Sequence, residues 1–250
     1  MKESICGVDE RMDRVNENIE LIQKKNGLTF GTDAFLLAAY MKGRGREHAV
    51  ELGAGTGIIS LLCAARNRFA TIDAFEVQED FASLAERNAA HNGYDACIRV
   101  HCADVRDVSA ATVGREVDVV FTNPPYMRTD SGERNRSDYK YIARHEVCGG
   151  IEDFCAAGYR LLRHGGYFYC VFRPDRLSEL LVALEKHRLS VKEMTFVHAH
   201  ANATPSMVLL RAIKGGAKGM RVTEPLILHD SADSTILGER AARIYDTMSF

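Results

Sequence analysis

Asn123-Pro124-Pro125-Tyr126 is the segment whose residue types and spacing can do chemistry. Asn123 offers a side-chain carbonyl oxygen, and the prolyl linkage leaves a backbone carbonyl with no neighbouring N–H to claim it. Tyr126 supplies a flat face for stacking. Two acceptors and one aromatic plate form a socket for a planar amino group, either an exocyclic base amine or a side-chain amide. The same residues could also form a stiff turn with the tyrosine as a partial core plug. The apolar run 117–121 before them reads as a buried strand, so they fall at a strand's carboxyl end, where open α/β sheets place ligands.

Other groups recur at the same position in successive units. Glu51-Leu52-Gly53-Ala54-Gly55-Thr56-Gly57 joins a strand to a helix, with glycines that permit a tight turn and close approach of backbone to a ligand. Taken alone it is only a glycine-rich turn. Asp73-Ala74-Phe75-Glu76 ends the next strand, and Glu76, about 20 residues past the last glycine, suits a ribose diol. Asp104 follows the third strand and can accept from an adenine amino group or cap the turn after it.

The elements that must position these groups alternate. Residues 49–52, 70–75, 97–101, 117–121 and 166–172 read as strands, and 58–67, 78–92, 151–162 and 177–187 as helices. The strands at 191–197 and 207–212 lie close enough to form an antiparallel pair at one edge. The expected fold is α/β, a Rossmann-like, mostly parallel sheet with helices on both faces. Before it, residues 19–23 and 28–30 flank a Lys-Lys-Asn-Gly turn as a short hairpin, and Thr32 or Asp33 caps a helix through Met41. Residues 1–45 are expected to pack as hairpin and helix on a domain formed by 46–250.

With 46% apolar and 26% charged residues in 250, the chain is globular, and no apolar run approaches the roughly 18 residues of a membrane span. The charged amino terminus lacks the apolar core of a signal peptide, so a cytoplasmic protein is expected. Seven scattered cysteines, none in C-x-x-C spacing, argue against a disulfide framework and a zinc site. A net charge of −2 exerts no global pull on nucleic acid, so a polyanion needs a local patch.

The glycine loop, the acids and Asn-Pro-Pro-Tyr together resemble the class I S-adenosylmethionine-dependent methyltransferases that methylate adenine N6, cytosine N4 or glutamine amides. The segments Phe30-Gly31-Thr32-Asp33-Ala34-Phe35-Leu36-Leu37, Ala143-Arg144-His145-Glu146 and the run 198–208 narrow this. They look like the bacterial valine-tRNA adenine-N6 methyltransferase family, over about residues 18 to 245. The resemblance implies S-adenosylmethionine as cofactor, tRNA as substrate, and no metal. It assigns Asn123, Pro124 and Tyr126 to catalysis. Thr32, Glu51, Gly53, Gly55, Gly57, Glu76, Asp104 and Asn123 would hold the cofactor, and Pro125, Tyr126, Arg128, Arg134, Arg136 and Arg144 the substrate.

Between Arg128 and Arg144 five basic residues face three acids, with Tyr139 and Tyr141 interleaved. This mixture suits single-stranded RNA and equally a solvated loop. Arg211, Lys214, Lys218 and Arg221 form a second patch, either tracking phosphates or forming a basic hairpin. His198 and His200 read as structural or RNA-facing. A protein glutamine methyltransferase acting on release factors is the nearest rival, although those enzymes usually carry a longer amino-terminal domain. A dinucleotide oxidoreductase would want G-x-G-x-x-G and a second domain, and a non-catalytic RNA-binding module is the remaining alternative. A monomer is the favoured state.

Overall fold

The computed structural model describes residues 5–26, 30–125, 149–231 and 233–250. Nine strands among them form one sheet in the order β10-β8-β9-β7-β6-β3-β4-β5, with β11 also on β8. These are β3 (His48–Leu52), β4 (Thr71–Glu76), β5 (Ile98–Cys102), β6 (Val117–Thr122), β7 (Leu162–Phe172), β8 (Leu189–His198), β9 (Pro205–Lys214), β10 (Arg221–Val222) and β11 (Leu226–Ile227). Strands β5, β4, β3, β6 and β7 are mutually parallel, and the order reverses between β3 and β6. The antiparallel β8–β9 pair stands toward the edge, as expected. The reversed strand itself is β9, inserted between β7 and β8.

Alternation along each strand divides the core into two layers. Ala49, Ile72, Val119, Phe121, Tyr169 and Leu209 face the helices Thr32–Tyr40, Ile58–Ala64 and Glu239–Thr247. Val50, Phe75, Val120, Phe168, Cys170 and Leu210 face Ile151–Leu161 and Leu177–Lys186. A Cβ at Gly158 would lie 2.6 Å from the Phe168 ring, so the glycine lets Ile151–Leu161 lie flush on the sheet.

The amino-terminal hairpin differs from the expectation. Strand β2 (Glu20–Lys24) pairs antiparallel with β1 (Glu10–Arg14) upstream, while residues 28 and 29 of the expected second arm (28–30) lie outside the described residues. The charged sequence Glu-Arg-Met-Asp-Arg hid β1, because its charges are paired. Arg87 grips buried Glu10 with two nitrogens at 2.9 and 2.7 Å and holds its carboxyl down to about 2.

The free edge of β2 meets the helix Glu79–His91 and the residue that follows it through two asparagines. Asn88 accepts from Ile22 N–H (2.7 Å) and donates to Ile22 O (3.0 Å), and Asn92 accepts from Glu20 N–H (3.0 Å) and donates to Glu20 O (2.8 Å). Four residues of helix rise about 6 Å, and two residues of strand span about 6.6 Å. The i,i+4 carboxamides therefore match alternate peptides of the strand. Asn88, fully buried, also donates to Thr56 O at 3.0 Å and so ties the hairpin to the glycine loop. Asn88→Ala strands up to three buried polar groups and should cost about 3 kcal/mol. Melting should then fall by roughly 6–12 °C, and a fall under about 2 °C would contradict the tie.

Candidate active site

Register sets the site. Leu52 is level with Phe75 on one side and Thr122 on the other, and Glu76 with Cys102. One residue further on, Gly53, Glu76 and Asn123 therefore stand level at neighbouring strand ends, and Asp104 follows two residues past Cys102. Thr122 donates its hydroxyl to Leu52 O (2.8 Å), closing the crevice floor where β3 and β6 part.

The loop after β3 is tied to the neighbouring strand β4. Gly53 and Ala54 both donate to Phe75 O at 2.9 Å, and Gly57 donates to Ala54 O at 2.8 Å. Gly53, Gly55 and Gly57 all have positive φ (72°, 55° and 81°), a conformation side chains strain to adopt. A Cβ at Gly55 would meet nothing within 4 Å, so the loop's outer face is open, whereas one at Gly57 would press on Ala85 at 3.2 Å.

Two carboxylates lie beneath the loop. Glu76 accepts Gly55 N–H (2.8 Å) and Gln78 N–H (3.0 Å), while burial pushes its carboxyl up. Glu51 accepts the Ser60 N–H (3.1 Å) and hydroxyl through one oxygen, and its other oxygen, also buried, has no hydrogen-bond partner among the described residues. Burial, reinforced by the charge of Glu76, pushes the Glu51 carboxyl up to about 8. An open loop of backbone N–H groups, a buried acid at the β4 tip and an orphaned buried carboxylate oxygen together fit a cationic ligand carrying a ribose.

Asp104 accepts Arg106 N–H (2.9 Å) and is gripped by the Arg106 guanidinium at 2.9 and 2.5 Å. It caps the 3-10 turn Val105–Asp107, the second of the two roles its position allowed. Arg160, not singled out from sequence, donates to the carbonyls of Val105 (2.9 Å), Arg106 (2.9 Å) and Val108 (3.0 Å) and holds that turn against Ile151–Leu161. Asn88 and Ser60 were also unremarked. The only signals were polar residues at helical spacing on otherwise buried faces.

Thr32 and Asp33 do not cap their helix. Gly31 is the N-cap, and no side chain bonds there. Asp33 instead spends one oxygen on Ala34 N–H (2.9 Å) and the other on the Asn123 amide nitrogen (2.9 Å), and Thr32 is the half-buried first residue of the helix. Tyr245 stacks on Phe35 with ring centroids 4.2 Å apart. Pro124 is buried and Pro125 half-buried, both beside Asn123, while Tyr126, Arg128, Arg134, Arg136 and Arg144 lie outside the described residues.

The second basic patch lies on and after the antiparallel strand β9. Arg211 and Arg221 pair with Glu193 (3.5 and 2.6 Å). Lys214 sits at the amino-terminal edge of the parallel strands, over Tyr159. His198 bonds Ala203 O (2.7 Å) and closes the β8–β9 turn, a structural role. Among the described residues no three His, Cys, Asp or Glu side chains group as a metal site, and no helix is long and apolar enough to cross a membrane.

This sheet order, with its glycine loop and acids at the switch point, defines a class I methyltransferase that uses S-adenosylmethionine. The residues present fit that cofactor on the open loop, the buried acids and the crevice they line. Residues 24–195 match the methyltransferase small domain model, and the chain belongs to that family. A protein of Phocaeicola vulgatus named tRNA1(Val) (adenine(37)-N6)-methyltransferase is 31% identical over 180 residues, 72% of this chain and 74% of that one. A Porphyromonas gingivalis protein of the same name is 25% identical over 85% of this chain and 86% of its own. The resemblance to the valine-tRNA adenine-N6 methyltransferase family thus extends over most of both chains. Among solved structures, a predicted O-methyltransferase of Agrobacterium tumefaciens superposes with a TM-score of 0.70 at 24% identity, covering 87% of this chain and 97% of that one.

Because burial raises the Glu51 carboxyl, the folded protein keeps a proton there that the unfolded chain releases above about pH 4.5. That contribution to stability is present at low pH and is lost as pH rises toward about 8. Glu51→Gln removes it. The urea midpoint of the variant relative to the parent should rise between about pH 5 and pH 8, and a pH-independent difference would contradict the assignment.

Proposed function

We propose that this protein transfers the methyl group of S-adenosylmethionine to the exocyclic N6 of an adenine in tRNA, the adenine beside the anticodon of a valine tRNA, in the cytoplasm. The observation that carries the reading is Asn123 and Pro124 at the strand end directly across from Gly53, where an amine acceptor and a methyl donor can meet. The relatives' names supply the substrate.

In this reading Glu76 holds the ribose hydroxyls, the glycine loop receives the methionyl part, and Asp104 takes the adenine amine after exchanging its Arg106 partner. Bound there, the cofactor supplies a methyl group already activated on a sulfonium. Adenine N6 is a poor nucleophile because its lone pair is delocalised into the ring. Asn123 Oδ1 and the Pro124 carbonyl each accept one of its N–H groups, favour a pyramidal nitrogen and aim the lone pair at the donor. Tyr126 stacks on the base, worth roughly 1–3 kcal/mol. Positioning carries the catalysis, with reacting atoms brought to about 3–3.5 Å in line. No strong base is required, since the proton leaves once the nitrogen is cationic. Arg128, Arg134, Arg136 and Arg144 would meet the RNA backbone.

Incubation with methyl-labelled cofactor and either unmodified tRNA or release factor separates the readings. Label is expected in N6-methyladenine of tRNA, and label appearing only in protein would overturn the RNA assignment. Asn123→Ala should lower transfer at least about 100-fold while cofactor binding survives. Persistent turnover would remove Asn123 from the mechanism.

A further inference from the structure

We propose that Asp33 is the positioning residue of the methyl-acceptor socket: its carboxylate holds the Asn123 carboxamide in the one orientation that presents Oδ1 to the substrate amine. The inference rests on the reading of Asn123 as an acceptor and adds what that reading requires. A primary carboxamide has two ends of nearly equal size and opposite hydrogen-bonding sense. Rotated by half a turn, Asn123 would meet an amine with an NH2 group, donor against donor. An ionised carboxylate accepts only, so at 2.9 Å it can engage the nitrogen end alone and must turn the oxygen end away from itself.

Asp33 is built to stay in place. Its other oxygen is bound by Ala34 N–H at 2.9 Å. Two residues on, Phe35 is pinned by the carboxyl-terminal helix, its ring stacked on that of Tyr245 with centroids 4.2 Å apart. A Cβ at Gly31 would lie 2.8 Å from an Asp33 carboxylate oxygen, so a side chain at position 31 would push the carboxylate from this place. The contact joins residues 90 positions apart, and it uses the oxygen that the first turn of the helix leaves over, so helix capping does not account for it. A hydrogen bond to an anion also draws electron density toward Oδ1, which strengthens it as an acceptor for a nitrogen becoming positive.

A double-mutant cycle on Asp33 and Asn123 tests this, with single-turnover methylation of tRNA and cofactor affinity measured separately. The parent protein must first methylate tRNA; if it does not, the functional reading fails and not this one. Asp33→Ala should slow transfer by about 10- to 100-fold, the range for a partner that orients a ligating side chain. Cofactor affinity should stay within about threefold, and Asp33→Ala should add nothing to Asn123→Ala. Asp33→Asn keeps one acceptor oxygen for two donors, Ala34 N–H and the Asn123 amide, so it should recover the rate only in part, above Asp33→Ala and below the parent. Gly31→Ala should mimic Asp33→Ala by displacing the carboxylate without removing it. Multiplicative effects in the double variant, or a tenfold loss of cofactor affinity with an unchanged transfer rate, would overturn the proposal.

Discussion

The site depends on parallel register across β4, β3 and β6. Three strands with level carboxyl ends bring a glycine loop, an acid and Asn-Pro-Pro to neighbouring columns, although they lie as far as 70 residues apart in the chain. A slip of one residue would turn every side chain of a strand to the opposite face. The two apolar layers forbid it, since Phe121 and Val120 would have to exchange environments. The core therefore determines the active-site geometry as well as the stability.

The floor of the crevice works against the fold that carries it. Glu51 and Glu76 are both buried, and burial opposes ionisation at each. Hydrogen bonds from Ser60, Gly55 and Gln78 offset part of that opposition. What remains is a pocket biased toward positive charge and hydroxyl donors before any ligand arrives. Such local conflict is typical of functional sites.

Much of this was legible in the chain. Apolar periodicity located β3 to β9 within a residue or two in most cases, and glycine spacing marked the loop because three positive φ values within five residues favour glycine at each. The misreadings share a cause. Strand β1 was hidden because its charges find partners such as Arg87 only after folding. Asp33 looked sufficient as a helix cap because its true partner is 90 residues away. The Arg211–Arg221 patch read equally as a phosphate track or a basic hairpin because Glu193, which pairs with both arginines, is distant in sequence. Local pattern reports burial and turns well, and it is blind to polar pairs made by tertiary contact.

The asparagine pair at positions 88 and 92 has a further consequence. A two-stranded sheet ordinarily exposes an edge of unpaired peptides, and such an edge is a template for another chain. Here helix carboxamides occupy the places a third strand would take, bonding Ile22 and Glu20 as peptides do. The hairpin is thereby finished as a sheet on that side without a further strand, and the contact that seats it on the glycine loop also denies it to any incoming β-strand.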